Sequence, residues 1–143
     1  MQYSDAIEHF AAVCRQPNMF LQSTRYEAVY AYINGFDVAL LHGPLQGFRE
    51  WLLTRGDSWT NMSWWMLVRL RAFPGDDVFL PLHDDANTPA CMALASSLEA
   101  FGADSDRFGL SMVFHDYHQW ILRKKEPSTV ELRKRLRGKV NTP

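Results

Sequence analysis

Cysteine is scarce in this chain of 143 residues, with only Cys14 and Cys91 present. Two cysteines so far apart, each inside an apolar helical pattern, do not make the disulfide framework of a small secreted domain. They read as small buried hydrophobes in a reducing compartment, and a Cys14–Cys91 bridge has only the even count in its favour. Long apolar runs are also lacking. The strongest, 64–68, is ended by Arg69, far short of the ~20 residues that span a bilayer. The opening segment, MQYSDAIEHF, has neither a basic region nor an apolar core, so no secretory signal is expected there and the expected location is the cytoplasm. Equally absent are a Gly-rich phosphate loop, Cys-x-x-Cys, His-Glu-x-x-His and Gly-x-Ser-x-Gly. The common cofactor and hydrolase classes thus lose their usual sequence support. No cofactor is expected, and no catalytic residue is assigned.

What is present is typical of a globular chain: 47% hydrophobic, 13% aromatic and 22% charged residues. The length suits one domain, able to bury roughly 68–70% of its unfolded surface without disulfide or metal. The net charge of −1 hides an asymmetry. Residues 1–122 carry seven Lys/Arg against fourteen Asp/Glu, a balance of −7, and residues 123–143 carry eight against two, a balance of +6. The reading is a helical domain over 1–125, with a basic C-terminal helix and tail over 126–143 packed on it or extending from it.

Helical periodicity dominates the pattern. Ser4 is placed to cap a first helix, which Pro17 ends. Thr24 and Glu27 have capping-box spacing and open a second helix with Val29, Ile33 and Phe36 on its apolar face, closed by His42-Gly43-Pro44 with Gly43 in a left-handed cap. Gly35 in mid-helix predicts close packing against that turn. A third helix is expected over 45–55 and a fourth, apolar nearly all round, over 62–73. Segment 76–88 is left open as irregular or a short strand, since Pro81 argues against a long element. A fifth helix starts at Thr88-Pro89 and is expected to stop at Gly102. A sixth carries Leu110, Val113, Phe114, Tyr117 and Trp120. Ser128 and Glu131 predict a short basic seventh helix to Arg137. The expected architecture is therefore an all-α compact bundle of six or seven helices. Its expected core includes Val29, Ile33, Phe36, Leu67, Val113, Phe114 and Tyr117.

Three constellations have chemical potential. His115 and His118 lie three apart on the sixth helix, a spacing able to share a zinc ion, with Asp84 beside His83 as a third ligand. Two adjacent ligands fall short of a site, so a solvent-facing, metal-free pair is expected and a small metal-dependent hydrolase through His83, His115 and His118 is an alternative. The tail, with Arg123, Lys124, Lys125, Arg133, Lys134, Arg135, Arg137 and Lys139, has the charge density to contact phosphates, so a nucleic-acid-associated role is another. No aromatic residue follows Trp120 to stack bases. The acidic clusters Asp76-Asp77, His83-Asp84-Asp85 and Asp104/Asp106 are read as loop charge. Of these, Asp76, Asp77, His83, Asp84 and Asp85 are the candidate partner-binding residues, suited to a basic protein. The Trp64-Trp65 pair points in two directions on a helix and is expected to be core.

Arg15-x-Pro17-x-Met19-Phe20, then Ser23, then Ala31-Tyr32-Ile33-Asn34-Gly35-Phe36-x-x-Ala39 resembles a pattern in small bacterial proteins. There it reads roughly Arg-Pro-x-Met-Tyr, a short gap with Ser, and an aliphatic-x-Gly-Tyr-x-x-Ala helix. The segment Trp51 to Trp65 is similar to the region that follows, so the resemblance covers about residues 13–70. This chain differs in the extra residue between Arg15 and Pro17 and in lacking a Gly near Gln22. Some of those proteins resemble the immunity partners of secreted polymorphic toxins. The resemblance implies a bacterial immunity-type protein that binds and blocks a toxin domain. A monomer or homodimer is expected, and the lack of long apolar runs predicts no membrane association. It carries over no catalytic residue. An acidic face would suit a nuclease toxin, whose own cleft must be basic to hold phosphate.

Overall fold

A computed structural model describes residues 2–56, 61–125 and 136–138. Among them are six α-helices and two 3₁₀ turns, with no strand, so the chain is all-α. The helices are α1 (Tyr3–Arg15), α2 (Tyr26–Ala39), α3 (Phe48–Thr54), α4 (Trp64–Ala72), α5 (Asn87–Phe108) and α6 (Leu110–Lys125). The 3₁₀ turns are Pro17–Met19 and Asp84–Ala86. The expected seventh helix falls outside the described residues except at 136–137, where the backbone is helical. No helix among the described residues is long and apolar enough to cross a membrane.

Helix α5 is the hub. It packs most extensively against α1 and α4 and also touches α2, α3 and α6. The cause is its sequence: Ala90, Cys91, Leu94, Ala95, Leu98 and Phe101 recur at helical spacing and are all buried. Small side chains at Ala90 and Ala95 let neighbouring backbones approach, while Leu94, Leu98 and Phe101 fill the space between. Phe10, Ile33 and Phe48 enter the same core from α1, α2 and α3. Each such side chain contributes about 1.5–3 kcal/mol on burial. Of the residues expected in the core, Val29, Ile33, Leu67 and Val113 are buried, and Phe36 and Tyr117 are half-buried. Phe114 is exposed. Helix α6 leans on α3 through Val113 and Trp120, which are seven apart. The next residue after Val113 lies about 100° further round the helix, so Phe114 sits at the edge of the contact, its ring 3.6 Å from where a Cβ on Gly47 would be.

Four local expectations are corrected. Helix α5 does not stop at Gly102; it runs on to Phe108 and ends at Gly109, whose φ is 80°. Its last turns are held by tertiary bonds: Trp51 Nε1 donates to Asp104 Oδ2 at 2.9 Å and Arg55 Nη2 donates to the same oxygen at 2.6 Å. Asp104 and Asp106 are thus helical, and Asp104 is structural. Second, the Thr24/Glu27 box does not cap α2, which starts at Tyr26. The Tyr26 N–H instead donates to Asn87 Oδ1 at 2.8 Å, from the start of α5. Third, the left-handed residues closing α2 are Leu41 and His42, with φ of 57° and 61°, not Gly43. Asp37 holds that turn: its Oδ1 accepts from the Leu45 N–H at 2.9 Å and its Oδ2 lies 3.3 Å from His42 Nδ1. Fourth, nothing packs closely on Gly35. The close approach is at Gly102, where a Cβ would meet Ile7 Cγ2 of α1 at 3.2 Å.

Candidate functional site

The segment between α4 and α5 contains five of the acidic and histidine residues singled out above. It begins at Pro74-Gly75, where the helix can no longer continue, and it returns through Pro81 to the 3₁₀ turn at 84–86. Its path is set from below by Arg69, on the last turn of α4. This arginine is 8% exposed. Its Nε donates to Asp76 Oδ2 at 2.7 Å, its Nη2 to the Asp77 carbonyl at 2.8 Å and its Nη1 to the Val78 carbonyl at 3.4 Å. A planar fork with fixed donors is well suited to grip three successive residues of one turn. Val78 is buried beside it, which pins the turn by packing as well.

The next two residues are exposed at the rim of a groove. Phe79 and Leu80 are 76% and 60% exposed. They are held in a tight turn, since Asp77 Oδ1 accepts from the Phe79 N–H at 3.0 Å and the Asp77 carbonyl accepts from the Leu80 N–H at 3.2 Å. The acidic residue therefore uses its own side chain to fix the backbone that follows it. At the far end of the connector, Asn87 Nδ2 donates to the carbonyls of Asp84 at 3.2 Å and His83 at 3.4 Å, while its Oδ1 caps α2. One buried amide thus ties connector, α2 and α5 together.

The structure separates the five candidate residues. Asp76 is half-buried and committed to Arg69. Asp77, His83, Asp84 and Asp85 are exposed. Among the described residues, Asp77, Asp84 and Asp85 take part in no ion pair. Behind the connector lies a groove of about 300 Å³ walled by Tyr26, Tyr30, Trp65, Met66 and Leu82. Tyr30 and Trp65 stack at 5.1 Å there, and the Tyr26 hydroxyl donates to the Trp65 carbonyl at 2.6 Å. Trp64 is buried, and Trp65 is half-buried against the core.

Sequence reasoning missed Arg69, Phe79 and Leu80. In the sequence Arg69 stands out only as the end of an apolar run. The available signal was an arginine on an otherwise apolar helix, followed past a Pro-Gly break by two aspartates.

The other constellations gain little. His115 and His118 are exposed on α6, as expected. Among the described residues, no group of three or more His, Cys, Asp or Glu side chains could hold a metal ion, so His83, His115 and His118 are not gathered into one. Arg123, Lys124 and Arg137 are exposed. Arg133, Lys134, Arg135, Lys139 and the side chain of Lys125 lie outside the described residues. Comparison with protein-family models, with curated proteins and with solved structures found no match.

Proposed function

We propose that the protein is a bacterial, cytoplasmic immunity-type protein that binds and neutralises a toxin domain, a nuclease being the best fit, and that the 76–86 connector is its docking surface. The observation that carries this reading is an exposed apolar tip, Phe79-Leu80, flanked by exposed Asp77, Asp84 and Asp85 and latched by a buried arginine. Exposed aromatic residues of this kind serve as interface anchors. Carboxylates around them match a basic cleft and repel acidic competitors. A turn already fixed in the free protein loses less conformational freedom on binding than a mobile loop does. The resemblance of residues 13–70 to immunity-type proteins favours the same class.

The test is a capture and inhibition assay with the purified chain and the toxin domain encoded beside its gene. Stoichiometric capture with loss of toxin activity is expected, and both should weaken when Asp77, Asp84 and Asp85 become Asn. If wild-type protein neither captures nor inhibits that domain, the reading falls.

A further inference from the structure

The turn that ends α2 is built on Asp37, which is 3% exposed. The Asp37 carbonyl accepts from the His42 N–H at 2.8 Å, and Oδ1 accepts from the Leu45 N–H at 2.9 Å. These bonds hold His42 at a φ of 61°, a region that residues with a Cβ rarely enter. Asp37 Oδ2 lies 3.3 Å from His42 Nδ1, yet the His42 side chain as a whole is 71% exposed. A carboxylate can only accept, so the proton of this bond sits on Nδ1. In the neutral ring Nε2 then carries the lone pair, on the side away from Asp37. Of the five histidines, His42 alone has a ring nitrogen beside a carboxylate among the described residues. His9 meets the Tyr32 hydroxyl, and His83, His115 and His118 are exposed.

Asp37 and His42 line a cleft of about 380 Å³, within the range of small-molecule sites, about 300–1,000 Å³. Leu45, Trp64, Trp65 and Phe114 give it an apolar wall. Its other charges are of opposite sign, Arg49 and Glu50, and Arg49 Nε is already committed to the Met62 carbonyl at 2.8 Å. An anionic ligand therefore gains no net attraction there. The side-chain amides of Asn34 and Gln46 also line the cleft and are donors of the kind that hold a developing oxyanion. An imidazole oriented by a buried carboxylate, with amide donors beside an apolar wall, supplies the parts of an acyl-transfer site.

We propose that His42 is an acyl-transfer nucleophile, with Asp37 as its positioning residue, and that the cleft takes small uncharged esters with an aromatic or short aliphatic body. Nε2 attacks the ester carbonyl carbon and a C–N bond forms. The carbon–oxygen bond to the leaving group breaks, releasing alkoxide or phenolate. The acylated ring carries a positive charge, which the Asp37 carboxylate stabilises across Nδ1–H. Water then attacks the acyl carbon, the C–N bond breaks and Nε2 regains its lone pair. The sum is one ester and one water giving one carboxylic acid and one alcohol or phenol, with no redox change. This reading uses no residue of the docking surface and is independent of toxin binding.

Hydrolysis of 4-nitrophenyl acetate by the full chain alone is the test, read as release of 4-nitrophenolate. Saturable turnover is expected. Asn tolerates left-handed backbone, so His42→Asn should keep the melting temperature while kcat falls about tenfold or more. Changing His83, His115 and His118 together to Gln removes the other exposed imidazoles and should leave kcat unchanged. Asp37→Asn keeps an acceptor for the Leu45 N–H and should lower kcat about tenfold with KM nearly unchanged. A purely structural role for Asp37 would not separate kcat from KM in this way. Rates proportional to substrate without saturation, an unchanged kcat in His42→Asn, an equal loss in the triple variant, or a fully retained kcat in Asp37→Asn would each overturn the proposal.

Discussion

Arg69 shows how much a single side chain can organise. Its guanidinium is buried, yet all three of its nitrogens have acceptors, so the burial is satisfied and not strained. Lysine keeps the charge but has no planar fork, and it cannot bond Asp76 and two carbonyls in the same geometry. Arg69→Lys should therefore destabilise the fold by about 1–3 kcal/mol and speed amide exchange at Phe79 and Leu80. Denaturant unfolding and exchange rates check this; unchanged exchange at Leu80 would mean the turn does not depend on the latch. The two cysteines make a second case at this scale. Burial pushes the Cys14 thiol far above its usual range, with the nearby Cys91 thiol adding to the shift, and burial alone pushes Cys91 up to about 11. Both should stay protonated at pH 8 and resist alkylation until the chain unfolds. Because the folded thiol holds its proton more tightly than the unfolded one, stability is level below about pH 8.5 and falls as pH rises from there toward 11. The Tyr26 hydroxyl, raised by burial, adds to the same alkaline loss. Melting temperatures between pH 7.5 and 11 should show that decline, and Cys91→Ala should make it shallower.

At the scale of elements, what was legible depended on whether a signal was local. The apolar periods of α1, α2, α3, α5 and α6, and the all-round apolar run of α4, lie in consecutive residues, so the six helices and the all-α class could be read directly. The ends could not. The cap of α2 comes from Asn87, 61 residues away, and the extension of α5 past Gly102 is held by Trp51 and Arg55. Neither partner is visible from within the helix it stabilises. The same distinction governs the glycines. Gly35 and Gly102 look alike in sequence, but Gly102 lets α1 and α5 approach, whereas Gly35 is exposed with nothing within 4 Å of where a Cβ would sit. Gly35→Ala should consequently gain helix propensity at no steric cost and stabilise the protein by up to about 1 kcal/mol. Thermal unfolding measures this directly, and a loss of stability would mean that an unseen contact occupies that face. The candidate site was half legible: the acidic residues stand out as charge, but the latch and the apolar tip depend on how α4 ends, which only the three-dimensional path of the connector reveals.

The whole molecule sets an acidic body against a basic terminal segment, with charges of −7 over 1–122 and +6 over 123–143. Each half predicts a different partner, and salt distinguishes them. If the connector steers a basic toxin domain, association at low salt is fast and slows about tenfold or more as salt screens the carboxylates. Changing Asp77, Asp84 and Asp85 to Asn should lower the association rate and flatten its salt dependence, with little effect on dissociation. Phe79→Ser should do the reverse, leaving association nearly unchanged and speeding dissociation, because a central apolar anchor acts after the encounter. Surface-plasmon measurements across a salt series resolve the two rates for each variant. If the basic segment binds nucleic acid instead, affinity for a DNA or RNA duplex falls linearly in log–log form with salt, and neutralising Arg133, Lys134 and Arg135 reduces that slope by about three phosphate contacts' worth. The expected result is rate separation at the connector and no tail-dependent slope. Tail-dependent duplex binding with no toxin captured would transfer the function to the basic segment. Capture unaffected by both the Asp and the Phe79 variants would move the interface off the connector, and the half-buried Trp65 beside the groove would be the next surface to test.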